Sequence, residues 1–267
     1  MKRIIRKINA LLAPLGIDLI LFVRSLRAFL PFFRDYRNFR QQLAAGNNPL
    51  PVGPLYPCLL DRYAEGGSAS GHYFHQDLLV ARRIHAVKPL RHLDVGSRVD
   101  GFVAHVAAFR HIEVMDIRPV YAAIPNITFV QADLMKPLPD ELVGCCDSLS
   151  CLHALEHFGL GRYGDPIAPD GHLRGFDNLC RLVNPGGTLY LSVPMGELRV
   201  EFNAHRVFSV AYLRDLVSSR FRIERFSYVD DRGDLHEDVE LADELVKGNF
   251  GCQYGCAILE LVLTGDQ

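Results

Sequence analysis

Asp94-Val95-Gly96-Ser97-Arg98-Val99-Asp100-Gly101 decides how this chain is read. Residues 91–95 read as a short strand, and the spacing over 99–109 predicts a helix. Gly96 sits at the turn between them, where a residue without a Cβ lets the backbone reverse sharply and a ligand come close. The amides at the start of the next helix then point at whatever lies there. The stretch is not Gly-x-Gly-x-x-Gly, so a dinucleotide cradle is poorly supported. No Gly-Lys-Ser/Thr follows, so it is no P-loop either. Taken alone, one glycine-bearing turn is plain geometry.

Outward from this turn the chain alternates. Residues 73–85 have helical apolar spacing. Strands are expected over 112–116, 127–131, 147–152 and 188–193, and near 221–228 and 257–263. Helices are expected over 175–182 and 211–217, with a turn at Asn184-Pro185-Gly186-Gly187. Such alternation implies a parallel sheet covered on both faces, whose ligands bind at the carboxyl ends of the strands.

Several strands end on acids. Asp116 closes the second, where a carboxylate can accept both hydroxyls of a ribose diol. Asp133 follows the third and can accept from an exocyclic adenine amine. Each acid separately is more often a solvated loop residue or a helix cap. Their succession at consecutive strand ends is what carries weight.

At 267 residues the chain accommodates one α/β domain and an appendage, expected as residues 1–71 and 72–267. Apolar residues make up 49% and charged residues 22%, ample for a core. The formal charge of −2 excludes a strongly basic nucleic-acid binder. The seven cysteines, at 58, 145, 146, 151, 180, 252 and 256, lack metal-finger spacing. They are expected to be buried thiols in a reducing cytoplasm, with no metal.

Residues 1–40 differ from the rest. Lys2, Arg3, Arg6, Lys7, Arg24, Arg27, Arg34, Arg37 and Arg40 face only Asp18 and Asp35, and aromatic and aliphatic residues lie between them. The apolar run between Lys7 and Arg24 is too short to span a bilayer. Two readings stand: basic amphipathic helices packing on the main domain or a second subunit, or resting peripherally on the inner face of an anionic membrane. Residues 47–57 and 65–71 are rich in Pro, Gly and Ser and read as linker.

On these residues the sequence resembles the class I methyltransferases that use S-adenosylmethionine. The likeness runs over about residues 72–263 and implies a Rossmann-like α/β sheet with an N-terminal helical extension. The first motif is matched by Asp94 and Gly96, the ribose acid by Asp116 and the adenine acid by Asp133. Cys146-Asp147-Ser148-Leu149 with Leu155-Glu156-His157 matches a further motif, and residues 182–187 match the Pro-Gly-Gly turn with one residue extra. The runs 92–101, 155–166 and 203–209 are similar to an uncharacterised methyltransferase-like family, domain of unknown function 268. The resemblance implies methyl transfer and cofactor contacts at Asp94, Gly96, Ser97, Asp116, Asp133 and Cys151.

One departure stands out: Ser97, Arg98 and a displaced Gly101 replace the usual second and third glycines. Arg98 then either meets the cofactor's carboxylate or obstructs the pocket. An oxygen acceptor must also lose its proton, and His157 and His205 are the candidate bases. The acceptor is expected to be a small molecule or a glycan. The alternative is a non-catalytic member of the fold that binds a partner.

Overall fold

The computed structural model describes residues 8–9, 12–46, 51–64 and 66–265. Lys2, Arg3, Arg6, Lys7 and Pro49 lie outside them. The chain divides into two compact units, Met1–Ser68 and Ala69–Gln267.

In the first unit, helix α1 (Leu19–Ala45) starts where Asp18 accepts the Leu21 N–H at 2.8 Å, which satisfies one of the free amides of the first turn. Pro31 lies within α1, and of its residues Ala28 alone is buried. Among the described residues no helix is long and apolar enough to cross a membrane.

In the second unit, helix α2 (His72–Val87) leads into β1 (His92–Val95). A π-turn (Val99–Val103) and one α-turn, α3 (Ala104–Ala107), connect β1 to β2 (Ile112–Asp116) and β3 (Ile127–Gln131). Then come β4 (Cys146–Leu152), α4 (Gly171–Leu182), β5 (Val183–Met195), the hairpin β6 (Arg199–Glu201) and β7 (His205–Val207), and α5 (Val210–Ser218). Next are β8 (Phe221–Val229), β9 (Leu235–His236), α6 (Asp243–Lys247) and β10 (Gly255–Leu263).

One sheet holds eight strands in the order β3-β2-β1-β4-β5-β10-β8-β9, and β6 pairs with β7 apart from it. The first five strands are parallel. β10 is antiparallel to both β5 and β8, with Ala257 opposite Val193 on one side and Tyr228 on the other.

Burial on both faces explains the apolar strands. Leu189, Leu191 and Val193 pack with Leu179 of α4 and Leu213 of α5 on one face. Tyr190 and Ile258 pack with Leu79 and Ile84 of α2 on the other. The sheet's consecutive side chains alternate between these two layers.

Three local expectations change. The helix expected over 99–109 is broken because Gly101 is non-helical (φ −124°, ψ −110°). A Cβ there would stand 2.7 Å from Asp77 Oδ2 of α2, which accounts for the displaced glycine. Asn184-Pro185-Gly186-Gly187 lies inside β5, and the β4–β5 register shifts between Cys146 and Ser148, so the turn is a bulge. Finally, α4 begins at Gly171 rather than 175.

Candidate functional site

The carboxyl ends of β1, β2, β3 and β4 open on one cleft of about 530 Å³, counting its mouth. Gly96 lines it with φ +74°. Its N–H donates to Met115 O at 2.8 Å, and a Cβ would stand 2.7 Å from that of Ala154. Asp94 lies beneath and is fully buried. It accepts the Ser97 N–H at 3.0 Å, the Ser97 hydroxyl at 2.7 Å and the Ser150 hydroxyl at 2.5 Å. Burial pushes its pKa up to about 7 despite these donors. Asp94 and Ser97 therefore hold the turn and do not line the cleft.

Asp116 and Asp133 both line it. Asp116 accepts from the Arg118 N–H at 2.8 Å and from its guanidinium at 2.7 and 3.0 Å, and that guanidinium lies 4.2 Å from the centre of the Tyr163 ring. Asp133 accepts the Met135 N–H at 3.0 Å, with the Lys136 ammonium 3.9 Å away. Cys151 does not line the cleft: its position in β4 turns it into the core with Leu149 and Leu179. Arg98 neither contributes to the lining nor blocks it. It pairs with Asp100 at 2.8 Å and lies over Tyr73.

His157 lines the cleft; His205 does not. The Nδ1–H of His157 donates to Ala204 O at 2.7 Å, which leaves the Nε2 lone pair free, and burial lowers its pKa. His205, on β7, stands 3.1 Å from Glu201, with its ring centre 6.4 Å from that of His157. The loop after His157 folds over the rim through Phe158, Tyr163 and Asp165. Asp165 shapes it by accepting the N–H groups of Gly159, Tyr163 and Gly161 at 2.8, 3.1 and 3.2 Å.

Three residues at this rim carry no local sequence signal as site residues. The buried Arg206 donates to Phe158 O at 2.6 Å, Pro169 O at 3.0 Å, Glu156 O at 3.3 Å and Ala168 O at 3.4 Å, tying both ends of the loop to β7. His153, at φ +51°, lines the cleft and donates from Nδ1 to Glu156 at 2.7 Å. His72, from α2, stacks on the His153 ring at 5.2 Å.

Five parallel strands, an antiparallel strand slotted before the sheet's far edge, and a cleft at the strand ends define the class I methyltransferase-like fold. Within it, residues 133–247 match the family described as "Caenorhabditis protein of unknown function, DUF268", which takes in the 155–166 and 203–209 runs. No curated protein sequence matches at a significant level. Among solved structures, the [4+2]-cyclase SpnF superposes with a TM-score of 0.51 at 18% identity over 71% of this chain and 81% of that one. A protein from Galdieria sulphuraria assigned as a sarcosine dimethylglycine methyltransferase superposes at 0.50 with 14% identity, over 71% and 86%. The N-methyltransferase NodS from Bradyrhizobium japonicum WM9, in complex with S-adenosyl-L-homocysteine, is less similar, at 0.47 with 12% identity over 73% and 89%. These likenesses concern the fold. One of the three proteins is named for a cyclisation, so the fold alone does not name the reaction and the chemistry rests on the cleft.

Proposed function

We propose that the chain transfers a methyl group from S-adenosylmethionine to an oxygen of a small or sugar-linked acceptor. The observation that carries this reading is the convergence of Gly96, Asp116 and Asp133 on one cleft at three successive strand ends. Asp116 suits a ribose diol, Asp133 suits the adenine amine, and the bare backbone at Gly96 admits the amino-acid end.

Bound there, the cofactor supplies an electrophilic methyl group. The protein's part is alignment and removal of a proton. His157 suits proton removal, because its Nδ1–H is committed to Ala204 O and burial keeps the ring neutral. His205 is one ring further out and suits positioning better than proton transfer. The loop tied down by Arg206 limits water at the same rim.

Calorimetry of the full chain with S-adenosylhomocysteine tests the reading. Saturable one-to-one binding is expected. No binding by a folded protein would overturn it in favour of a non-catalytic, partner-binding member of the fold. A crystal soaked with the same ligand would show which residues lie opposite its sulfur.

For residues 1–40 the reading is contact with an anionic membrane surface. Leu21, Phe22, Leu26, Leu30 and Phe33 of α1 are exposed, and the same helix carries Arg24, Arg27, Arg34 and Arg37. Vesicles containing phosphatidylserine should sediment the full chain and not a chain lacking residues 1–40, and salt should weaken the effect. If both forms stay in the supernatant at low salt, the stretch serves packing or assembly.

A further inference from the structure

His72, His153 and Cys256 come from three places distant in sequence: the first turn of α2, the residue after β4, and the start of β10. Their donor atoms lie within 4.8 Å of one another. Two of the three residues, His153 and Cys256, are buried, Cys256 completely and His153 with 8% exposure.

The His153 ring is the informative group. Its Nδ1 donates to Glu156 Oε1 at 2.7 Å, which fixes the orientation of the ring. Its Nε2 is buried and has no hydrogen-bond partner among the described residues. A buried polar atom left this way costs about 1–3 kcal/mol, so the arrangement calls for a ligand. The backbone at His153 is left-handed (φ +51°), an uncommon conformation for a residue with a Cβ and one that recurs at functional sites. A carboxylate on one ring nitrogen with the other left bare is how metal-ligating histidines are usually held. Around it, His72 stacks in parallel at 5.2 Å and 6°. The Cys256 sulfur makes long contacts, 3.8 Å to Gln76 Oε1 and 3.6 Å to Ala257 O.

We propose that His72, His153 and Cys256 bind a zinc ion at the wall of the cleft. Two imidazoles and a thiolate are a donor set for borderline-soft zinc, whereas magnesium and calcium take oxygen donors. Three protein ligands leave the fourth position to water or to an oxygen or sulfur atom of a bound molecule, the pattern of catalytic rather than purely structural zinc. Because His153 also lines the cleft, that position belongs to the acceptor half of the site, beside His157. Glu156 holds His153 in place and acts on the metal only through it. The site stands on these side chains alone and does not depend on which cofactor the cleft takes.

The test is the metal content of the full chain, expressed with zinc in the medium and dialysed against metal-free buffer. About one zinc per chain is expected, falling at least five-fold in Cys256→Ser and His153→Gln while Cys252→Ser keeps it. Cobalt substitution should give a thiolate-to-cobalt charge-transfer band that Cys256→Ser abolishes. His72→Ala removes the least buried of the three ligands. It answers the same question if the other variants fail to fold, which circular dichroism would reveal. A folded wild-type chain without zinc after this treatment overturns the proposal. So does a Cys256→Ser variant that holds as much zinc as the wild type.

Discussion

The rim of the sheet is built in two ways. At the ends of β2 and β3, Asp116 and Asp133 face the cleft with short-range partners, Arg118 two residues on and Met135 two residues on. Beyond β4, His153, Glu156, His157 and the loop over the cleft meet groups from afar: His72, Ala204, Arg206 and the start of β10. The first half is set by strand geometry and stays open to a ligand. The second is a buried polar network, whose members stabilise the rim only while all are satisfied. Substitutions should therefore cost binding in the first half and folding in the second.

The largest effect is expected at Arg206. Truncating it to Ala leaves four carbonyls of residues 156–169 without their guanidinium. Hydrogen bonds to a charged group contribute roughly 1.5–3 kcal/mol each and add incompletely, so a loss of about 3–5 kcal/mol is expected in urea unfolding. Limited proteolysis should then cut near Gly161–Gly164. A variant that unfolds like the wild type would erase the distinction between the halves.

Asp94 lies under the boundary between them. Its pKa is raised from 3.8 to about 7, chiefly by burial. The sign follows from proton binding. Below pH 3.8 both the folded and the unfolded states hold the proton. Between 3.8 and about 7 the folded state holds it and the unfolded state does not, so this group's contribution to stability is lost as pH rises. The loss is on the order of 4 kcal/mol across the window and levels off above it. Wild type compared with Asp94→Asn, by denaturant melts from pH 5 to 8, should show that downward slope in the wild type alone. Parallel curves would mean that the Ser97 and Ser150 donors keep Asp94 ionised throughout.

The same division explains what could be read from the sequence. The strand positions along the chain and the placement of Gly96, Asp116 and Asp133 at strand ends were legible because each depends on a position within one strand and the turn after it. Cys151 was misplaced because the run 146–152 does not reveal which face of β4 each residue takes; alternation puts Cys151 in the core. The helix break at Gly101 depends on Asp77, a residue of another element. His72, His153 and Cys256 show no ligand spacing in sequence, since topology alone brings α2, the end of β4 and β10 together. Arg206 was visible only as one cation in the Asn203–Arg206 run. Its four carbonyl partners belong to a loop about forty residues earlier, for which no pattern exists.

In the first half, Asp116→Ala removes the charged acceptor offered to a ribose diol. Affinity for S-adenosylhomocysteine should fall at least ten-fold, about 1.4 kcal/mol. Thermal stability should move less than affinity, because the Arg118 end of the pair is half exposed and a pair open to solvent is worth about 0–1 kcal/mol. Calorimetry and a melt of the same sample separate the two effects. Unchanged affinity in a folded variant removes Asp116 from the cofactor site.

The smallest effect, and the finest test of the open half, is at Arg118. In the free protein its guanidinium occupies the carboxylate proposed for the ribose, and it rests on Tyr163 of the loop. A ligand diol must displace it or share Asp116 with it. If displacement is required, Arg118→Ala should raise affinity for S-adenosylhomocysteine by up to about five-fold, since losing an exposed pair returns no more than roughly 1 kcal/mol. The gain should shrink as salt is added, because the wild-type pair is itself screened. If affinity instead falls, Arg118 is part of the binding surface, clamping ligand and loop together through Tyr163, and the open half is then tied to the closed one.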